Sequence, residues 1–173
     1  ARFYAATAQN FGDSTPLGTI LVVPPWNFPY AIPVGGVCAA LAAGNTVILK
    51  PAPETVATAW EIVTHLWEGG VPQDVLQFLP MRDDENGKYL ITHPEIDGLI
   101  LTGSFDTASL FTSWRPEINL MAETSGKNAM LISACADIDI AVKDLVQSAF
   151  GHAGQKCSAA SLAIVDTHIY QIG

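Results

Sequence analysis

Apolar residues in this chain come in short runs cut by glycine and proline, and the runs alternate between two periods. "GTILVV" (18–23) is a β-rich run closed by Pro24-Pro25, and "NTVILK" (45–50) is another closed by Pro51. Both are continuously apolar, the signature of strands buried on both faces of a parallel sheet. Between them "VGGVCAALAAG" (34–44) is small, apolar and long enough for a crossover helix. In "TVATAWEIVTHLWEGG" (55–70), Val56, Trp60, Val63 and Trp67 recur at helical spacing and Gly69-Gly70 supply the stop. "DVLQFLP" (74–80), "GLILTG" (98–103) and "INLMAET" (118–124) read as further strands, with "DENGKYLITH" (84–93) and "SFDTASLFTSW" (104–114) as helical intervals. "DIDIAVKDLVQSAFG" (137–151) then has Asp137 as a helix N-cap, Ile138, Val142, Leu145 and Ala149 on one face, and Gly151 at its end. After Cys157 an alanine-rich run drifts into an apolar strand.

This alternation predicts an α/β fold built on a doubly wound, mostly parallel, Rossmann-like sheet. Such sheets bind ligands outside the carboxyl ends of their strands. The residues just past those ends are "PWNFP" (25–29), "KPAPE" (50–54), "LTGS" (101–104) and "ETSGKN" (123–128), which carry an amide, an ammonium, a helix-opening serine and a carboxylate. Together with the thiol of Cys157 they are the parts of acyl chemistry: nucleophile, oxyanion donor and general base.

Composition and charge narrow the partners. With 173 residues, 49% of them hydrophobic and 14% charged, the chain can bury a core and is not a disordered segment. Eight basic and 17 acidic side chains give a net charge of −9 with no basic cluster, which argues against nucleic acid. Three cysteines, Cys38, Cys135 and Cys157, form no paired spacing, so neither a disulfide framework nor a zinc site is suggested, and a reducing, cytoplasmic setting is expected. Cys38 and Cys135 are assigned to packing. Residues 14–49 hold no charge, yet five prolines interrupt the first half and glycines the second, so no membrane span is expected. His65 falls on a helix and His93 and His168 on loops, so no metal site is expected. The chain opens without Met and stops just after an apolar run, and is expected to be a piece of something longer.

"PWNFP", "LKP", "LTGS", "ETSGKNA" and "GQKCS", with Glu123 34 residues before Cys157, stand in the order and spacing of the aldehyde dehydrogenase superfamily, which nearly the whole chain resembles. "AETSGKNAMLIS" and "SAFGHAGQKCSA" look most like the L-glutamate γ-semialdehyde (Δ1-pyrroline-5-carboxylate) dehydrogenases, including those forming the carboxyl-terminal half of bifunctional proline utilisation A proteins. The resemblance implies oxidation of an aldehyde to a carboxylate with NAD, NADP not being excluded, in a homo-oligomeric parent of which this fragment alone is inactive. It implies Cys157 as nucleophile, the Asn27 amide and the Cys157 N–H as oxyanion donors, and Glu123 as the base that activates water. It further implies Pro25, Trp26, Lys50, Pro53, Glu54, Gly103, Ser104 and Thr124 at the cofactor, and Lys156 and Ser158 at the substrate. Residues 1–154 would be the core of the dinucleotide-binding domain, and 155–173 the start of the catalytic domain.

Three departures from the family pattern stand out. Pro53 occupies the position where a glutamate often discriminates against a 2′-phosphate, with Glu54 following; Ala108 replaces a glycine after "LTGS"; and Ser125 replaces the first glycine of "E-x-G-G-K". Two other functions compete with this one. The chain could be a non-catalytic nucleotide-binding or interaction module, or a cysteine hydrolase using Cys157 with His152.

Overall fold

The computed structural model describes residues 1–10, 12 and 14–170. The chain divides into two compact units, Ala1–Thr124 and Ser125–Gly173. The first opens with a short helix α1 (Arg2–Ala8), followed by β1 (Thr19–Val23), α2 (Ala31–Ala42), β2 (Thr46–Leu49), α3 (Val56–Glu68) and β3 (Leu76–Phe78). It continues with α4 (Glu85–Thr92), β4 (Gly98–Gly103), α5 (Phe105–Trp114) and β5 (Leu120–Thr124). The five strands form one sheet in the order β3-β2-β1-β4-β5, and every pairing is parallel. The order reverses between β1 and β4, which makes the crevice outside their carboxyl ends the expected place for a ligand.

The continuous apolar runs of β1, β2 and β4 are explained by burial on both faces. Leu21 and Val23 of β1 join Leu99 and Leu101 of β4 in a core with Leu90 and Ile91 of α4 and Ala108 and Phe111 of α5. Ile20 and Val22 face the other way, into a core with Val37 and Ala40 of α2 and Ala59 and Val63 of α3. Each Val, Leu, Ile or Phe side chain so removed from water contributes about 1.5–3 kcal/mol. Helix α2 lies close against the sheet because Gly36 has no side chain: a Cβ there would come 2.9 Å from Val22 Cγ1. The strand entries are pinned by two polar side chains. Asn45 accepts the Leu17 and Gly18 N–H groups (2.7 and 3.0 Å), and Asp97 accepts the Thr19 N–H (2.7 Å).

The second unit is a strand-helix-strand motif, β6 (Asn128–Ile132), α6 (Ile138–Phe150) and β7 (Ala160–Val165), with β6 and β7 parallel and a register shift at Asn128/Ala129. Asp137 caps α6 as expected, its carboxylate accepting the Ile140 N–H at 3.2 Å.

Four local expectations are corrected. Helix α1 and strand β6 were not foreseen; the apolar stretch of β6 is only four residues, Ala129, Met130, Leu131 and Ile132, and it follows the "ETSGKN" motif directly. On α3 the buried residues are Ala59, Ile62 and Val63, while Trp60 is 48% exposed and stacks edge-on with Trp67 and obliquely on Phe78. Trp67 is half-buried against the core, with its indole N–H satisfied by the Leu76 carbonyl (2.9 Å). On α6 the apolar residues do share a face, but none of them is buried within this chain.

Candidate active site

In the first unit the parallel pairing sends the carboxyl ends of β1, β2, β4 and β5 to one edge, and the residues expected to function there follow directly. Pro25, Trp26 and Asn27 form the bend between β1 and α2, with Pro25 and Asn27 half-buried and Trp26 46% exposed. Gly103 ends β4. A Cβ on it would meet nothing nearer than Leu101 Cδ1 at 3.5 Å, so packing does not require glycine there and the strand end is simply left bare toward the rim. Ser104 caps α5, its hydroxyl accepting the Thr107 N–H at 3.0 Å, and the helix starts immediately beyond the sheet edge. Glu123 and Thr124 are the last residues of β5, in register with Thr102 and Gly103; the Glu123 side chain is exposed and Thr124 half-buried.

Lys50 is the first residue past β2, and its N–H bonds the Val22 carbonyl at 3.0 Å. Only 5% of it is exposed, and its ammonium pairs with the carboxylate of Asp83, which lies in the loop after β3 and is itself largely exposed. A buried ammonium demands an opposite charge, and Asp83 supplies it. Pro53 and Glu54 lie in a short 3-10 turn and are exposed. Sequence reasoning missed Asp83; the acidic run Asp83-Asp84-Glu85 was visible, but its link to a lysine 33 residues earlier was not.

In the second unit Cys157 and Ser158 occupy the two central positions of a tight turn closed by the Ala159 N–H on the Lys156 carbonyl (3.1 Å), and all three of Lys156, Cys157 and Ser158 are exposed. The turn is held from β6, where the Asn128 side-chain amide donates to the carbonyls of Cys157 (2.6 Å) and Ala159 (3.1 Å). It is also held from α6, where Ser148 Oγ accepts the Ala160 N–H at 3.2 Å. Just upstream His152 and Ala153 take left-handed backbone angles, φ 57° and 55°, ahead of Gly154 at 71°. For residues with a side chain this costs roughly 1–2 kcal/mol each. Asn128 is a second residue the sequence reading missed, because it was read as part of the glutamate motif and not as a partner of the thiol turn.

Cys38 is buried in α2, as expected of a packing residue, whereas Cys135 is exposed in the turn after β6, which corrects its assignment to packing. Beyond β7 the Asp166 carboxyl is held below its usual range by the backbone N–H and the ring of His168, which closes a turn. Among the described residues no group of three or more His, Cys, Asp or Glu side chains is placed to hold a metal, and no helix is long and apolar enough to cross a membrane.

Comparison with known proteins agrees with this arrangement. The aldehyde dehydrogenase family model matches residues 3–172. A 1-pyrroline-5-carboxylate dehydrogenase of Staphylococcus epidermidis is 40% identical over 163 residues, which are 90% of this chain and 32% of that enzyme. The chain therefore spans about a third of the length of that curated relative. Among solved structures, proline utilization A from Corynebacterium freiburgense superposes with a TM-score of 0.90 at 48% identity, covering 98% of this chain and 18% of that one. A betaine aldehyde dehydrogenase from Staphylococcus aureus, solved in complex with NAD+, superposes with a TM-score of 0.90 at 27% identity, over 96% of this chain and 36% of that one. A parallel five-stranded sheet with its motif residues along one edge, a thiol on a braced turn and a family match from residue 3 to residue 172 have one common reading: the chain belongs to the aldehyde dehydrogenase family.

Proposed function

We propose that the protein containing this chain oxidises L-glutamate γ-semialdehyde to L-glutamate with a nicotinamide dinucleotide. The observation that carries the reading is Cys157 itself, exposed at the tip of a turn that two side chains brace, in a chain whose relatives include a 1-pyrroline-5-carboxylate dehydrogenase. Exposure does not by itself single out Cys157, since Cys135 is exposed too; the bracing of its turn does, because a nucleophile must be held in place.

The residues of the sheet edge fit a dinucleotide. Lys50 offers an ammonium to ribose hydroxyls, Gly103 leaves backbone bare, and the first turn of α5 points N–H groups where an anion is stabilised. Pro25, Trp26, Pro53, Glu54 and Thr124 complete the proposed cofactor set. A nicotinamide dinucleotide supplies the acceptor for hydride. The Cys157 thiolate forms a C–S bond with the aldehyde carbon, and the resulting oxyanion is held by the Asn27 amide and the Cys157 N–H. After the carbon has given up its hydride the acyl group remains on sulfur as a thioester. Glu123 takes a proton from water, the hydroxide adds to the thioester, and the C–S bond breaks to release the Cys157 thiolate and the carboxylic acid, which gives its proton to solvent.

Ser158, adjacent to the nucleophile and exposed, is proposed to bond the α-carboxylate of the substrate, with Lys156 adding positive potential. A charge-assisted hydrogen bond is worth roughly 1.5–3 kcal/mol, so Ser158→Ala in the full-length protein is expected to lower kcat/KM for the semialdehyde by about tenfold to a hundredfold. Propanal, which has no carboxylate, should be oxidised as before. Equal losses on both substrates, or a wild-type preference for propanal, would remove the semialdehyde assignment and leave the wider family reaction.

Asn128 is proposed to act through the turn. Its amide draws the carbonyls of Cys157 and Ala159 toward β6, which orients the peptide that carries the reacting sulfur. Asn128→Ala is expected to lower kcat by about tenfold, the scale of one or two lost hydrogen bonds, and to slow alkylation of Cys157 by iodoacetamide, with KM for the dinucleotide unchanged. Asn128→Ser, which keeps a donor, should recover part of both. Normal alkylation and kcat in the alanine variant would show that the contact only closes the fold.

A further inference from the structure

We infer that Asp83 is the carboxylate that makes the sheet edge favour a dinucleotide with a free 2′-hydroxyl and disfavour one with a 2′-phosphate. The inference rests on the proposal that Lys50 meets the adenosine ribose. At the position where related sequences often carry a discriminating glutamate this chain has Pro53, which has no charge to offer. The structure supplies a carboxylate from a different strand. β2 and β3 are neighbours in the sheet, so the loop that follows β3 runs beside the end of β2, and Asp83 in that loop pairs with Lys50.

The two partners are unequal in a way that matters. Lys50 is the one charged side chain buried among the described residues, whereas the Asp83 side chain is 67% exposed. One carboxylate oxygen is engaged by the ammonium, and the rest of the group faces solvent at the rim. A ribose that reaches Lys50 therefore also reaches Asp83. Vicinal hydroxyls suit such a pair, since one can accept from the ammonium while the other donates to the carboxylate. A 2′-phosphate suits it poorly. It is mostly dianionic at neutral pH, with little proton to donate, and Asp83 repels it, offsetting the attraction of Lys50.

The neighbouring charges point the same way. The two segments that meet here, 50–54 and 82–85, hold four carboxylates, Glu54, Asp83, Asp84 and Glu85, against two cations, Lys50 and Arg82, a balance of −2. Arg82 is the one side chain that could welcome a phosphate. It is exposed, and three carboxylates follow it directly in the chain.

The test measures binding apart from turnover. Adenosine 5′-monophosphate and adenosine 2′,5′-bisphosphate are titrated into the full-length wild type, Asp83→Asn, Asp83→Glu and Arg82→Ala, with thermal melting to establish that each is folded. The wild type is expected to prefer the monophosphate. In Asp83→Asn the bisphosphate should tighten by about tenfold relative to the monophosphate, the effect of removing one like charge at close range, and the NAD to NADP ratio of kcat/KM should fall in parallel. Asp83→Glu should keep the preference, and Arg82→Ala should keep or sharpen it. If Asp83→Asn is unfolded, Asp83→Ser, which also removes the charge, is measured in its place, and an unchanged ratio there overturns the assignment. An unchanged ratio in folded Asp83→Asn, or a wild type that prefers the bisphosphate, overturns the assignment while leaving the dehydrogenase reading intact. A wild type that binds neither nucleotide overturns the dinucleotide reading, and this assignment with it.

Discussion

Cys157→Ala in the full-length protein is expected to abolish aldehyde oxidation, with kcat reduced at least about a thousandfold, while dinucleotide affinity stays within about threefold of the wild type. The two effects separate because they belong to different residues. The sulfur forms and breaks the bond to the acyl carbon, and an alanine methyl cannot; the proposed cofactor contacts come from Lys50, Gly103 and the start of α5, in the other compact unit. The fold should tolerate the change. Cys157 is exposed, and the hydrogen bonds that hold its turn use the backbone carbonyls of residues 157 and 159, which alanine keeps. Steady-state assay with isothermal titration of NAD checks both halves. Appreciable dehydrogenase activity in the variant would exclude the covalent route, and loss of NAD binding together with activity would mean that the residue acts through structure.

Glu123→Gln should give a different signature. Glutamine matches glutamate in size but cannot accept a proton, so acylation should continue and deacylation should stall. Rapid mixing is expected to show a burst of reduced dinucleotide equal to the enzyme present, followed by a steady state slowed by roughly 10²–10⁴-fold, the usual contribution of a general base. Alkaline buffer should restore part of the lost turnover, because hydroxide can attack the thioester without a base. The substitution is mild structurally: the Glu123 side chain is exposed, and its place in the sheet is set by backbone pairing with Thr102. A variant without the burst would assign Glu123 to an earlier step or to folding.

These predictions rest on parts of the chain that were legible to different degrees. The five strands of the first sheet and the five helices from α2 to α6 could be placed within a few residues, since each carries its own short-range signal. A strand covered on both faces must be apolar throughout, and α4, α5 and α6 each start at a capping oxygen, from Asp84, Ser104 and Asp137, while α2 and α3 have no side-chain cap and were placed by their apolar residues. The positions of Asn27, Lys50, Gly103, Ser104, Glu123 and Thr124 were legible for a related reason: in a parallel sheet the residues at and just past a strand's carboxyl end stand at the ligand edge whatever the strand order proves to be.

The contacts that give those residues their setting could not be read in the same way. That Lys50 is buried and paired with Asp83 follows from β2 and β3 being neighbours, a fact of strand order that no local pattern encodes. Asn128 reaches the Cys157 turn, 29 residues further along the chain, because β6 and β7 pair, and the left-handed angles at His152 and Ala153 fall in the segment between α6 and β7. The direction in which Trp60 and Trp67 lie was likewise decided by what packs above α3 and not by their helical spacing. Periodicity, caps and breakers act over a few residues, and from them the sequence alone determined which elements form and which side chains stand at their ends. Charge pairing, burial depth and backbone strain arise between segments far apart in the chain, so only their assembly in three dimensions decided them.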